Sequence, residues 1–176
     1  MSGGKMLIKR MICLVCVLML IKTSACYAQS LELGDIENNS CQKHCESGNE
    51  YFYNNKALDK ALNEYNVAVK LDSSCTYGYN ALGNTYYSKG LYNKAIQNYK
   101  IAISQYPEYS YAYIGLGNSY LKTGSTEKAI ECYKKVLKIN PNYASYEAYK
   151  GLSEAFKILS SKYAYKAKQA LSLPQN

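Results

Sequence analysis

Apolar residues recur at helical spacing along most of the chain, and they recur in copies. Over Thr76–Ser88 the residues Tyr79, Leu82, Gly83 and Tyr86 fall on one helical face; over Tyr92–Ser104 the residues Ala95, Ile96, Tyr99, Ala102 and Ile103 do the same. Gly90, between the two stripes, suits the left-handed residue that ends a helix, and Pro107 stops the second helix. The spacing therefore predicts a helical hairpin over 76–109. Thirty-four residues on, Tyr79, Leu82, Gly83, Asn84, Tyr86, Gly90, Ala95, Ile96, Tyr99 and Pro107 return as Tyr113, Leu116, Gly117, Asn118, Tyr120, Gly124, Ala129, Ile130, Tyr133 and Pro141. A repeat of this period is one supersecondary unit that buries its apolar face by stacking on copies of itself. Gly83 and Ala95 are expected to be small because the two helices of the hairpin approach closely there.

Two weaker copies flank this pair. In residues 42–75, Gly48-Asn49 and Tyr51 stand 35 before their counterparts, whereas Ala61, Leu62, Tyr65 and Ala68 stand 34 before theirs. One extra residue is thus expected in the turn around Asn54–Ala57, where an insertion costs little. The first helix of that copy, about Gln42–Tyr53, reads as polar on its packing face, as a solvated end cap would. The copy over 110–143 has Gly124 as its stop, Ser125 as a candidate N-cap and Val136 and Leu137 pointing inward. In 144–172, Tyr149, Leu152 and Phe156 continue the first-helix stripe with the offset slipped by two. A second helix over about Ser161–Leu171 would make this a drifted fourth hairpin that closes the array.

The pattern Tyr79-x-x-Leu82-Gly83-x-x-Tyr86, Gly90-x-Tyr92-x-x-Ala95-x-x-x-Tyr99-x-x-Ala102, Pro107 resembles the tetratricopeptide repeat. The resemblance is strong over 76–141, fair over 48–73 and weak over 144–171. It implies an all-α fold, a right-handed superhelical array of about three to four helix-turn-helix hairpins. It also implies a concave groove, lined by the first helix of each hairpin, that binds a peptide or protein segment. In members of this family the residue after the Leu-Gly pair faces the groove, which here implies Asn49, Asn84 and Asn118. A ladder of Asn can pair with the main chain of an extended peptide without reading its side chains. The same resemblance places Tyr77, Asn80 and Tyr87 of the second copy, and Tyr111, Ile114 and Leu121 of the third, in the groove. Each Asn has a structural alternative, a bond to its neighbouring helix, and Tyr77 and Tyr111 have one in covering the seam between hairpins. Members that grip the C-terminal carboxylate of chaperone tails use basic residues where this chain has Cys45, Tyr111 and Gly115, so the carboxylate clamp is missing.

The N-terminus changes the picture of where this array works. Lys5, Lys9 and Arg10 precede an uninterrupted apolar run, Met11–Ile21, and a short stretch ending in Cys26-Tyr27-Ala28. This is the layout of a secretory signal peptide over 1–28, with an uncleaved N-terminal membrane anchor as the alternative. Residues 29–41 read as a linker and 42–172 as the repeat domain. The protein is then expected to be exported, periplasmic or secreted. Its net charge of +8 owes four positive residues to that segment; without Lys5, Lys9, Arg10 and Lys22, 17 basic residues face 13 acidic ones. A balance of +4 does not call for nucleic acid.

The remaining chemistry is sparse. Trp is absent and Phe occurs twice, against 21 Tyr, so aromatic packing falls to a residue with a polar tip. The single histidine, His44, lies between Cys41 and Cys45 on an end helix, an arrangement that does not make a nucleophile pair. Zinc typically needs four ligands and no second cluster is visible, so no metal or other cofactor is expected. Cys41, Cys45, Cys75 and Cys132 allow three disulfide connectivities. Cys41 and Cys45 read as bystanders, or one of them as a partner of Cys75. No phosphate loop, nucleophile elbow or paired carboxylates occur. The expectation is a non-catalytic scaffold or adaptor that binds a protein or peptide ligand in an exported or envelope complex. The alternative is a self-associating structural repeat protein.

Overall fold

The computed structural model describes residues 40–54, 56–140 and 145–171. The signal-peptide segment lies outside the described residues, as does the linker apart from residues 40 and 41, which are already helical. Among the described residues seven helices follow one another: α1 (40–49, prolonged by the π-helical turn Glu50–Asn54), α2 (Leu58–Leu71), α3 (Thr76–Ser88), α4 (Tyr92–Gln105), α5 (Ser110–Lys122), α6 (Thr126–Ile139) and α7 (Ser145–Leu171). Each packs against the next in the chain. In addition α3 touches α5, and α5 touches α7, so the first helices of successive hairpins form an inner layer. The described residues form an all-α solenoid.

The core repeats with the sequence. Each second helix buries a small residue, a tyrosine and another small or branched residue on one face: Ala61, Tyr65 and Ala68; Ala95, Tyr99 and Ala102; Ala129, Tyr133 and Val136. The tyrosine rings set the spacing between helices. A Cβ on Gly83 would stand 2.6 Å from the Tyr99 ring, and one on Gly115 only 2.3 Å from it. Gly117 and Gly151 enclose Tyr133 in the same way, and Gly48 meets Tyr65. The smallness of Gly83 thus serves the Tyr99 ring, where the sequence suggested a close approach at Ala95.

The turns inside the hairpins follow one design with one variation. Gly90 and Gly124 adopt φ of 75° and 77°. The amide of Leu91 bonds to Tyr86 O and that of Gly90 to Tyr87 O; Ser125 and Gly124 repeat both bonds to Tyr120 and Leu121. This is the Schellman closure of a helix. Ser125 does stand at the N-cap of α6, but its side chain makes no cap hydrogen bond. In the first hairpin the corresponding bond runs from Ala57 N to Tyr51 O, one residue longer. The extra residue is therefore taken up from within the helix end, by the π-helical turn Glu50–Asn54, rather than by the turn alone. Lys56 then takes the left-handed position, with φ of 50°. Between hairpins, Asp72 O and Tyr106 O each accept from the residue three on, Cys75 and Tyr109. Where later copies have proline, Asp72 Oδ1 accepts from Ser74 N at 2.8 Å and Ser74 Oγ at 2.6 Å.

Two ends of the array differ from expectation. The packing face of α1 is not polar: Cys41, Cys45 and Gly48 are buried at helical spacing and Phe52 is half-buried. Cysteine acts here as a small hydrophobe. At the other end the described residues form one helix in place of the expected fourth hairpin, since α7 runs unbroken for 27 residues. Residues 157–166 contain no Gly or Pro, and Ser161 Oγ bonds back to Lys157 O within the helix. Ala148, Gly151, Leu152 and Ala155 of α7 take the buried places of Ala112, Gly115, Leu116 and Ser119, which confirms the two-residue slip. Tyr149 and Phe156, expected in the stripe, are 62% and 53% exposed. Their counterparts Tyr113 and Tyr120 pack on the core that includes α6; among the described residues no helix follows α7 to cover its pair.

Candidate functional site

The inner layer hollows out a concavity of about 440 Å³. Eight of the nine expected groove residues line it: Asn49, Tyr77, Asn80, Asn84, Tyr87, Tyr111, Ile114 and Asn118. Leu121 lines an adjoining hollow of about 190 Å³, together with Lys122, Glu147, Lys150 and Glu154. None of the side chains lining the larger hollow carries a formal charge at neutral pH.

The three asparagines are held by the core. Tyr65 OH donates to Asn49 Oδ1 at 2.8 Å, Tyr99 OH to Asn84 Oδ1 at 2.7 Å, and Tyr133 OH to Asn118 Oδ1 at 2.7 Å. Asn49 Oδ1 also accepts from Tyr77 OH at 2.9 Å. Each amide oxygen is thus engaged by the second helix of its own hairpin, and the structural alternative for these residues accounts for one end of the amide. The other end, the Nδ2 group with its two donors, is what each rung can turn to a ligand. Burial of the phenols, the leading cause in each case, pushes the pKa of Tyr65, Tyr99 and Tyr133 far above the ordinary tyrosine value. They stay protonated and keep donating.

Asn80 has a different position. It is 6% exposed, it lines the hollow, and its Oδ1 has no hydrogen-bond partner in the structure. An acceptor left bare in a buried place costs free energy, which a donor from a bound chain would recover. Around it stand Tyr53, Tyr77, Tyr87, Tyr109 and Tyr111. Burial also pushes Tyr109 up to about 12 and raises Tyr77 and Tyr87, so these three phenols are neutral at ordinary pH.

Phe52, Tyr53 and Tyr109 were not expected in the groove. Phe52 stands 35 residues before Tyr87, so the repeat offset could have found it. Tyr109 reaches in from the connection between hairpins, which a rule about first helices does not cover. The positions where a carboxylate clamp would stand are closed to that role. Cys45 is buried at 4% exposure, and Gly115 lies under the Tyr99 ring.

A second cluster lies at the N-terminal end of the array. Cys41 and Cys75 form a disulfide that ties α1 to the start of α3. Cys45 Sγ lies 3.8 Å from Cys75 Sγ. Of the two readings of these cysteines, bystanders or one of them a partner of Cys75, the structure shows the second, with Cys41 as the partner and Cys45 beside the pair. His44 is engaged elsewhere, with Nδ1 at 2.7 Å from Glu64 Oε2.

Family models match the middle of the array. A model described as tetratricopeptide repeat matches residues 110–143, and one described as TPR repeat matches residues 83–124. The chain carries tetratricopeptide repeats. Among solved TPR structures, the first TPR domain of human RPAP3 superposes with a TM-score of 0.67 at 24% identity, covering 72% of this chain and 98% of that one. The first TPR of Spaghetti (RPAP3), solved bound to the HSP90 peptide SRMEEVD, gives 0.66 at 23% identity, over 70% and 95%. The Sgt2 TPR domain from Aspergillus fumigatus gives 0.66 at 21%, over 77% and 86%. At these identities the likeness is one of fold. No curated protein sequence matches the chain. Within the TPR array, the three core tyrosines and the three groove asparagines occupy equivalent places in successive hairpins.

Proposed function

We propose that this TPR protein is a non-catalytic adaptor that captures an extended, uncharged peptide segment in its concave groove. The observation that carries the reading is the ladder of Asn49, Asn84 and Asn118, each with its oxygen fixed by a buried tyrosine and its amide nitrogen left to donate. Amide donors repeated along the groove suit carbonyls of an extended main chain, and Tyr rings give adaptable contact area at low entropic cost. TPR domains of similar fold have been solved with HSP90 and HSP70 peptides, which supports peptide binding as the use of the groove. An acidic tail such as SRMEEVD would meet an uncharged wall with no clamp, so this chain serves a different class of segment.

The adaptor works outside the cytoplasm in this reading. The layout of residues 1–28 and the Cys41–Cys75 disulfide support it, because disulfides persist in oxidising compartments. Among the described residues no helix is long and apolar enough to cross a membrane.

The test is fluorescence anisotropy with a panel of uncharged extended peptides and with SRMEEVD. Replacing Asn84 and Asn118 together with Ala removes two hydrogen bonds, so binding of the neutral peptides is expected to fall roughly 10-fold or more at unchanged helicity. Tight binding of SRMEEVD, or affinity untouched by the double substitution, overturns the reading. Self-association is favoured by one observation, the exposed aromatic face of α7 with Tyr146, Tyr149 and Phe156. Sedimentation that depends on protein concentration, lost in Phe156→Ser, would establish it.

A further inference from the structure

The sulfur cluster offers more than a cross-link. The Sγ atoms of Cys41, Cys45 and Cys75 all lie within 4.8 Å of one another, and the three residues are 4%, 4% and 9% exposed. Three of the four cysteines beyond the N-terminal segment meet at this one point, while Cys132 is buried elsewhere as a free thiol. The fold makes room for them. Gly78 stands where the next two hairpins have Ala112 and Ala148, and a Cβ there would come within 3.1 Å of Cys75 Sγ, 3.7 Å of Cys45 Sγ and 2.8 Å of Val69 Cγ1. The walls are Ala68 and Val69, which bring no competing ligand.

We propose that the reduced cluster is a binding site for a three-coordinate thiophilic centre, of the trivalent arsenic class. Among the described residues no fourth ligand joins the three sulfurs, which does not meet the four-coordinate preference of structural zinc. Charge decides among softer centres. All three sulfurs are buried away from water, so a dry cluster of three thiolates around a monovalent or divalent cation would hold an uncompensated negative charge. A trivalent centre with three thiolates is neutral. In the exchange, arsenous acid and three thiols give three As–S bonds and three waters: each As–O bond breaks, each S–H proton leaves in a water, and arsenic stays trivalent. The Cys41–Cys75 disulfide must first be opened. A dithiol reductant supplies two electrons and two protons to it and is itself oxidised to a disulfide. The oxidised protein keeps one thiol in the cluster and the reduced protein three, so occupancy depends on redox state.

The test uses the full chain carrying Cys13→Ser, Cys16→Ser and Cys26→Ser, reduced with a dithiol and desalted without air, with arsenite as the probe. Native mass spectrometry is expected to show one arsenic per chain with the loss of three protons, and thermal melting is expected to rise because the bound centre ties α1 to α3. Cys45→Ala is expected to bind at least ~100-fold more weakly, since even outer-shell changes cost 10–100-fold at such sites; Cys132→Ala is expected to bind as the parent does. Circular dichroism confirms that each variant is folded. Absence of uptake by the folded, reduced protein overturns the proposal. So does equal uptake by Cys45→Ala, or loss of uptake in Cys132→Ala.

Discussion

The Tyr99 phenol donates a 2.7 Å hydrogen bond to Asn84 Oδ1, while its ring is wedged between Gly83 and Gly115. One side chain thus does two things: it fills the core between three helices and orients a residue of the groove. The same pairing recurs as Tyr65 with Asn49 and Tyr133 with Asn118. Packing and binding are coupled at each repeat. Tyr99→Phe keeps the ring and removes the donor. It is expected to lower stability by about 1 kcal/mol and to weaken peptide binding severalfold, because Asn84 can then turn its oxygen outward. Tyr99→Ala is expected to cost about 3–5 kcal/mol, as loss of a buried aromatic does. Urea denaturation and anisotropy measured on both variants separate the two roles. Equal binding by wild type and Tyr99→Phe would mean that the phenol does not orient the rung.

The glycines around these rings give a second prediction. A Cβ on Gly115 would lie 2.3 Å from Tyr99 Cζ and 2.7 Å from its OH. Alanine normally favours a helix over glycine by about 1 kcal/mol. At this position overpacking is expected to reverse the sign, so Gly115→Ala should destabilise by about 1–3 kcal/mol. Because the clash falls at the oxygen end of the ring, the Asn84 rung should shift with it. Denaturant midpoints decide the matter, and a stabilised Gly115→Ala would show that the ring relaxes freely.

How much of this could be read from residues alone follows from where the repeat is regular. The bounds of α3 and the left-handed Gly90 were legible because apolar spacing and turn chemistry agree there. The groove asparagines were legible as positions, but not the bonds that orient them, since a Tyr 15 or 16 residues away carries no mark of where its oxygen ends. The termini were misread for two reasons. Cys41 and Cys45 read as bystanders or disulfide partners and were not counted as the apolar face of α1. A repeat rhythm suggested a hairpin over 144–172, although residues 157–166 hold no residue that stops a helix. A partner for Cys75 in Cys41 or Cys45 was among the readings, but not the meeting of all three, because Cys75 joins from 30 residues beyond Cys45.

The buried phenols also predict a one-sided pH dependence. Tyr65, Tyr99 and Tyr133 are 1%, 1% and 0% exposed, and burial raises all three pKa values in the folded state. In the unfolded chain each ionises near pH 10. Above that pH the unfolded state binds fewer protons than the native one, so stability falls as pH rises. The three phenols leave stability unaffected below about pH 9, and each then removes about 1.4 kcal/mol per pH unit. Denaturation followed from pH 8 to 12 should show a flat region and then a steep loss, with tyrosinate absorbance from these residues arriving together with unfolding. Full titration of every tyrosine while the helices persist would contradict the burial.

The last prediction concerns Lys56, which holds the place of Gly90 and Gly124 with φ of 50°. A side chain in the left-handed region costs roughly 1–2 kcal/mol. Lys56 is exposed, so its side chain offers little in return. Glycine removes the strain but adds freedom to the unfolded chain, so the net gain from Lys56→Gly is expected to be about 0.5–1 kcal/mol. Gly90→Ala should do the reverse, because its Cβ would find open space yet face the same backbone penalty at φ of 75°. The first hairpin carries Asn49, Phe52 and Tyr53 into the groove; the π-helical turn Glu50–Asn54 contains the last two and directly follows Asn49. Firming that turn should raise hydrogen-exchange protection of α1 without changing which residues face the ligand. If Lys56→Gly instead lowers the denaturant midpoint, the left-handed lysine is making an interaction that compensates its strain.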